Sequence, residues 1–83
     1  MKIDSNKIND LCLPYMQKPK RILGAKAIVL ENIQNRSGQI IEQGEIVEIF
    51  QSYQGYGIRT TNEKGPKIYI KRVPHYDIRF LKG

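Results

Sequence analysis

Apolar residues near the N-terminus recur at the spacing of a helix. Between Asp4 and Tyr15 they fall at i, i+3, i+4 and i+7, which lines one helical face. Four residues share this spacing: Ile8, Leu11, Cys12 and Tyr15. Asp4 or Ser5 is a suitable cap, and Pro14 disfavours helical geometry at Leu13. The pattern predicts about two helical turns, followed by a basic linker at 17–21.

The rest of the chain consists of short apolar runs separated by glycine or proline, which is typical of a small all-β unit. Five runs rich in isoleucine, valine and tyrosine predict strands at 26–31, 45–51, 57–61, 67–73 and 78–81. The run at 45–51 is apolar on both faces, which predicts a central strand. We therefore expect a helix and linker over residues 1–22 and a β domain over residues 23–83.

Composition limits the chain to one small domain and excludes several kinds of scaffold. The 83 residues are 40% hydrophobic and 27% charged, which allows a modest core. One cysteine and one histidine exclude an internal disulfide and a paired zinc motif, and we expect no cofactor and no metal. No apolar run approaches the roughly 20 residues that cross a bilayer, and no secretory signal is recognisable. We expect a cytoplasmic protein without a membrane span.

The net charge of +6 is unevenly distributed along the chain. Residues 1–27 carry +4, residues 28–50 carry −3 and residues 51–83 carry +5. A basic C-terminal half is compatible with nucleic-acid partners, although many small proteins are basic without binding them. The glutamates of the middle segment are expected on the solvated surface or in ion pairs with basic residues of the same domain.

The sequence offers little for catalysis. Cys12 and His75 are the residue types of a nucleophile and a base, but nothing in their spacing brings them together. The glutamates are scattered around a turn and a strand rather than paired. Gly55-Tyr56-Gly57 lacks the helix of a phosphate-binding loop and predicts a tight turn with positive φ. We predict a non-enzymatic binding module.

The β region resembles a Src homology 3-like small barrel. The resemblance rests on a long polar connection after the first strand, on Gln43-Gly44-Glu45 before Ile46, and on Val73-Pro74-His75-Tyr76-Asp77-Ile78 before the last strand. It implies a mainly β, five-stranded barrel with a tight helical turn at 74–77. The layout is also similar to short barrel proteins of unassigned function from bacteria and their phages. Members that bind proline-rich peptides use a tryptophan, and this chain has none.

The leading functional hypothesis is a nucleic-acid site on the second half of the barrel. If Ile58, Ile68 and Ile70 face inward, the residues between them face outward and form a basic surface that contains a tyrosine. The predicted site is Arg59, Lys67, Tyr69, Lys71 and Arg72. Cations neutralise phosphates and an aromatic ring stacks on a base. The alternative is that these lysines only protect an edge strand from pairing with other chains.

A rival hypothesis is a protein-interaction adaptor or small structural subunit that binds another protein or a second copy. Its predicted contacts are Ile8, Leu11, Tyr15, Tyr53, Tyr56 and Tyr76, from the helix face and from loops or strand ends. Docking of the helix on its own barrel is favoured over a free helix, because so short a chain needs every apolar contact that it can bury.

Overall fold

A computed structural model describes residues 2–63 and 65–82 and gives a mainly β fold. A 3-10 turn at Ser5–Lys7 leads into helix α1, Ile8–Leu11. The strands that follow are β1 Lys26–Val29, β2 Ile33–Gln34, β3 Ile40–Ile41, β4 Ile46–Ser52, β5 Tyr56–Thr60, β6 Tyr69–Val73 and β7 Ile78–Phe80. A second 3-10 turn, His75–Asp77, precedes β7, at the position that the resemblance to small barrels implies.

Five strands form one antiparallel sheet in the order β6-β5-β4-β1-β7. These are the five strands predicted from the sequence, and β4 has the central place expected for it. Within residues 2–63 and 65–82 the two edge strands, β6 and β7, do not pair with each other. Closure of the sheet into a barrel therefore stays a prediction.

The core lies on one face of this sheet. Its fully buried side chains include Val47 and Ile49 of β4, Ile58 of β5 and Phe80 of β7. Ile28 is equally buried but points to the opposite face of β1, since its neighbours in the strand belong to the core cluster. The sheet is therefore covered on both sides near β1.

The N-terminal segment folds back over that second face. The Leu13 N–H donates to the Phe80 carbonyl at 2.8 Å, and the Lys82 N–H donates to the Leu11 carbonyl at 2.9 Å. Arg79, the neighbour of Ile28 in β7, donates from Nε to the Leu13 carbonyl at 2.7 Å. This docking ends α1 early: Cys12 is extended and pairs with Leu81 instead of completing a second α-helical turn.

The long connection after β1 contains a hairpin that the sequence analysis did not predict. Strands β2 and β3 pair over two residues each. Asn35 organises the turn between them, because its Oδ1 accepts from the N–H groups of Ser37 at 3.0 Å and Gln39 at 2.9 Å. Gly38 has φ of 88°, which suits glycine. In the part of the chain that the structure describes, no helix is long and apolar enough to cross a membrane.

Candidate functional site

A row of side chains crosses the outward face of the sheet, opposite the core. Lys26, Glu48, Arg59 and Tyr69 are Cα partners on four neighbouring strands. Arg59 Nε donates to Glu48 Oε1 at 2.7 Å, and Arg59 Nη2 bonds to the same oxygen. The hydrogen bond and the charge of Glu48 hold the pKa of Arg59 above its ordinary value. One predicted cation of the site is therefore already paired within the domain.

This pairing confirms the expectation that glutamates of the middle segment meet basic residues of the same domain. Glu42 also forms an ion pair, but with a residue of the N-terminal segment: Lys2 Nζ lies 2.5 Å from its Oε2. The Lys2 hydrogen bond, followed by its charge, lowers the pKa of Glu42. Both pairs are at least partly exposed, so each contributes little to stability.

Strand β6 carries most of the remaining predicted site. Ile70 is buried, whereas Tyr69 and Lys71 on either side of it are exposed, as the alternation predicts. Lys67 lies two residues before β6 and is exposed. The pairing with β5 continues next to it, because the Thr60 N–H donates to the Ile68 carbonyl at 3.1 Å. Among the described residues, no ion-pair partner is found for Lys67, Lys71 or Arg72. These cations are available to an external anion.

Arg72 occupies a backbone conformation that side chains seldom adopt. Its φ is 61°, and it lies where the β5–β6 register shifts between Tyr56 and Ile58. Gly55 lies against it: a Cβ on Gly55 would approach the Arg72 carbonyl carbon to 3.0 Å. Left-handed backbone costs a non-glycine residue about 1–2 kcal/mol. The bulge turns Arg72 outward together with its neighbour Lys71, and both are exposed.

The exposed ring of Tyr69 is supported by a second aromatic residue. Phe50 packs edge-on against Tyr69, with ring centroids 5.4 Å apart. Gly57 makes room for Phe50, since a Cβ there would lie 2.9 Å from Phe50 Cζ. Of the two glycines expected to need positive φ, Gly55 has it at 100°, whereas Gly57 serves close packing inside β5.

The β2–β3 hairpin adds a cation that the sequence analysis missed. Asn35 Nδ2 donates to the Tyr69 carbonyl at 3.2 Å, so the hairpin tip lies against the edge of β6. The next residue, Arg36, is exposed at this tip. The Asn-Arg-Ser-Gly turn was visible in the sequence, but its contact with β6 depends on the tertiary fold.

The residues predicted for protein docking divide into two groups. Leu11, Tyr15, Tyr53 and Tyr76 are exposed, and the Tyr15 hydroxyl donates to the Tyr76 carbonyl at 3.1 Å. Ile8 is half-buried.

Tyr56 does not lie on the exposed surface, as the sequence analysis expected of a protein-docking residue, because its side chain is only 6% exposed. It begins β5 on the inward face, and its ring packs edge-on against His75 and Phe80, with centroid distances of 5.6 Å to each. The sequence placed Tyr56 at a loop edge, whereas the strand begins one residue earlier than predicted and turns its side chain into the core.

The two residue types considered for nucleophilic chemistry are both in packed surroundings. Cys12 is 1% exposed, and burial raises the pKa of its thiol. Burial, and then the charge of Lys18, lower the pKa of His75. Over residues 2–63 and 65–82, no group of three or more His, Cys, Asp or Glu side chains is arranged to hold a metal ion.

Comparisons with known proteins give no family for this chain. No protein-family model, no curated protein and no solved structure matches it. The Src homology 3-like fold therefore stays a prediction.

Proposed function

We propose that this protein is a non-enzymatic binding module that contacts nucleic acid, or a complex containing it, through the outward side of β6. The observation that carries the proposal is the exposed Tyr69 ring between two exposed lysines, Lys67 and Lys71, for which the described part of the chain contains no ion pair. Alternate residues of a strand lie roughly 6.5 Å apart on one face. Such a surface neutralises successive phosphates of a single strand while the tyrosine stacks on a base.

The neighbouring residues support this surface in different ways. Arg72 and the hairpin residue Arg36 enlarge the exposed positive charge beside β6. Arg59 contributes least to phosphate binding, because Glu48 already neutralises it. Phe50 supports the Tyr69 ring from below, which reduces the entropy lost when a base stacks on it.

We also propose a Src homology 3-like arrangement for the domain. The strand order β6-β5-β4-β1-β7, the hairpin between β1 and β4, and the 3-10 turn before β7 support it. Cross-strand hydrogen bonds measured by heteronuclear NMR test this arrangement. Hydrogen bonds that connect the two edge strands, β6 and β7, directly or through another segment would support a barrel. Outer-edge amides without hydrogen bonds on both strands would contradict it.

The rival function is a protein adaptor that docks through the N-terminal helix and the tyrosines. The exposure of Leu11, Tyr15, Tyr53 and Tyr76 supports it. Two of its six predicted residues count against it, since Ile8 is half-buried and Tyr56 lies in the core.

The decisive experiment is fluorescence anisotropy of labelled single-stranded DNA, duplex DNA and RNA, titrated with the full chain at several salt concentrations. We expect binding to single strands that weakens as salt rises. The double variant Lys67→Glu, Lys71→Glu should abolish tight binding, and any residual salt slope should be shallower by about 1.4, the value for two lost single-strand contacts.

The matched control is Lys7→Glu with Lys18→Glu, which changes the net charge equally at exposed positions outside β6. It should retain most of the affinity. Equal losses in the two double variants would mean that binding follows net charge and not the β6 surface. No binding at about 50 mM salt, where phosphate contacts are strongest, would contradict the proposed function.

A further inference from the structure

A second surface of the molecule has a different chemistry. An open groove of about 2060 Å³ runs between α1, the connector before β1 and the ends of β4 and β5. Small-molecule sites typically have volumes of roughly 300–1,000 Å³. The groove is therefore larger than a small ligand needs and suits a stretch of polypeptide.

The groove combines aliphatic walls with a basic rim. Leu11 from α1 and Leu23 from the connector line it and are 43% and 56% exposed. The half-buried Ile46 at the start of β4 also lines it. Its charged lining has four cations against two carboxylates: Lys20, Arg21, Lys26 and Lys82 against Asp10 and Glu63. Exposed leucines at a concave surface are typical of a binding site rather than of a random surface.

We propose that this groove binds an acidic peptide segment of a partner protein, with apolar side chains seated on Leu11, Leu23 and Ile46. Charge complementarity is the argument for an acidic occupant, because the excess of cations at the rim favours Asp and Glu beside the apolar anchors. The site differs from the proposed nucleic-acid surface, since its defining leucines lie on α1 and the connector and not on β6. The two surfaces adjoin at Lys26, which lines the groove and begins the row that leads to Tyr69.

The lining residues distinguish this site from a nucleic-acid site. No aromatic side chain is found in the lining that the structure describes. Nucleic-acid surfaces without sequence preference use aromatic rings for stacking. Aliphatic walls instead suit the leucine, isoleucine or methionine side chains of a peptide.

A second copy of this chain fits the groove less well than a foreign peptide. The acidic stretch of the chain is residues 28–50. Two of its carboxylates are engaged within the domain, Glu42 with Lys2 and Glu48 with Arg59. A self-contact through this stretch would compete with those ion pairs.

The test begins with a displayed library of random short peptides selected against the full chain. The expected consensus contains Asp or Glu around two apolar residues. The best peptide is then synthesised with a fluorophore and titrated with the protein. Leu23→Asp should lower its affinity by about tenfold or more, as expected for an apolar anchor at the centre of an interface. Arg21→Glu at the rim should lower the affinity less, and mainly at low salt.

Matched controls carry the same chemical changes outside the groove. Ile40→Asp places a carboxylate at an exposed apolar position on β3, and Lys7→Glu reverses a charge in the 3-10 turn before α1. Both should leave the peptide affinity within about twofold. Circular dichroism checks that Leu23→Asp folds, which its exposure favours.

Several outcomes would overturn the proposal. If the selected peptides are not enriched in Asp or Glu, the groove does not prefer an acidic peptide. If the best peptide binds the Leu23→Asp variant as tightly as the wild type, its binding site is not the groove. Single-stranded DNA that displaces the peptide from the wild type, and that itself no longer binds the Leu23→Asp variant, would assign the groove to nucleic acid. A dimer in sedimentation equilibrium that Leu23→Asp dissociates would assign it to a second copy.

Discussion

Glu48 and Arg59 face each other on β4 and β5, and one oxygen of the Glu48 carboxylate accepts hydrogen bonds from both Nε and Nη2 of the Arg59 guanidinium. Arg59 is the Cα partner of Tyr69 in the row across the outward face, so this pair neutralises the cation nearest to Tyr69 in that row. The predicted cations that remain for phosphate binding are therefore Lys67, Lys71 and Arg72, on β6 or just before it, and not Arg59.

Glu48→Gln should increase the affinity for single-stranded nucleic acid. The substitution removes the carboxylate that neutralises Arg59 and frees one more guanidinium for phosphate, which should steepen the salt slope by about 0.7. Anisotropy titrations at several salt concentrations measure both effects. Glu31→Gln is the control, because it makes the same charge change at an exposed position outside the row. Equal gains in the two variants would show that Arg59 does not reach the ligand.

Arg72→Gly should stabilise the domain while weakening nucleic-acid binding. Glycine relieves the cost of the positive φ at residue 72, and the expected gain in the free energy of unfolding is about 1 kcal/mol. The same change removes an exposed cation beside Lys71. Urea denaturation and anisotropy titrations measure the two effects separately.

Arg72→Ala separates backbone strain from charge. Alanine loses the guanidinium but keeps a Cβ, so it should weaken binding as glycine does without the gain in stability. If alanine stabilises the domain as much as glycine, the strain at residue 72 is not the cause of the effect.

Alternation and turn residues were sufficient to predict the main sheet. The five predicted strands are the five strands of the sheet because each has three or more apolar or β-branched positions in a run bounded by glycine or proline. Strands β2 and β3 have two residues each, too few for any periodicity. Helix α1 ended before the predicted position because Cys12 pairs with Leu81, a contact 69 positions away that no local pattern contains.

The sequence predicted which side chains of β6 are exposed, but it did not predict the ion pair between Glu48 and Arg59. Alternation around Ile70 correctly turned Tyr69 and Lys71 outward. The Glu48–Arg59 pair depends on the β4–β5 register, which a bulge near Phe50 shifts by one residue. Tyr56 was misplaced because the predicted strand began at residue 57 and left Tyr56 in the loop. Once residue 56 belongs to β5, it shares the inward face of Ile58, two positions further along the strand.

Arg79→Met should loosen the N-terminal segment and expose Cys12. Arg79 donates to the Leu13 carbonyl at 2.7 Å and to Asn9 Oδ1 at 2.8 Å, which fastens the segment to β7. Burial protects the Cys12 thiol and raises its pKa, so wild-type alkylation by iodoacetamide should be slow until the segment opens. The variant should react faster under native conditions.

The control for this labelling experiment is Arg36→Met, which removes an exposed arginine from the hairpin tip. It should label at the wild-type rate. Equal rates in wild type and Arg79→Met would show that other contacts, such as the Leu13 N–H to Phe80 carbonyl bond, hold the segment without Arg79.

His75 should make the domain less stable as the pH falls below about 6.5, the ordinary histidine pKa. Burial against Tyr56 and Phe80, and the charge of Lys18, lower the pKa of His75 in the folded state. Between the folded and unfolded pKa values the unfolded chain binds more protons, so stability is present above about pH 6.5 and declines below it. His75→Phe keeps a ring at this place and should remove the decline. Melting temperatures of both proteins from about pH 8 to about pH 5.5 test this; an equal decline in the variant would assign the effect to other groups.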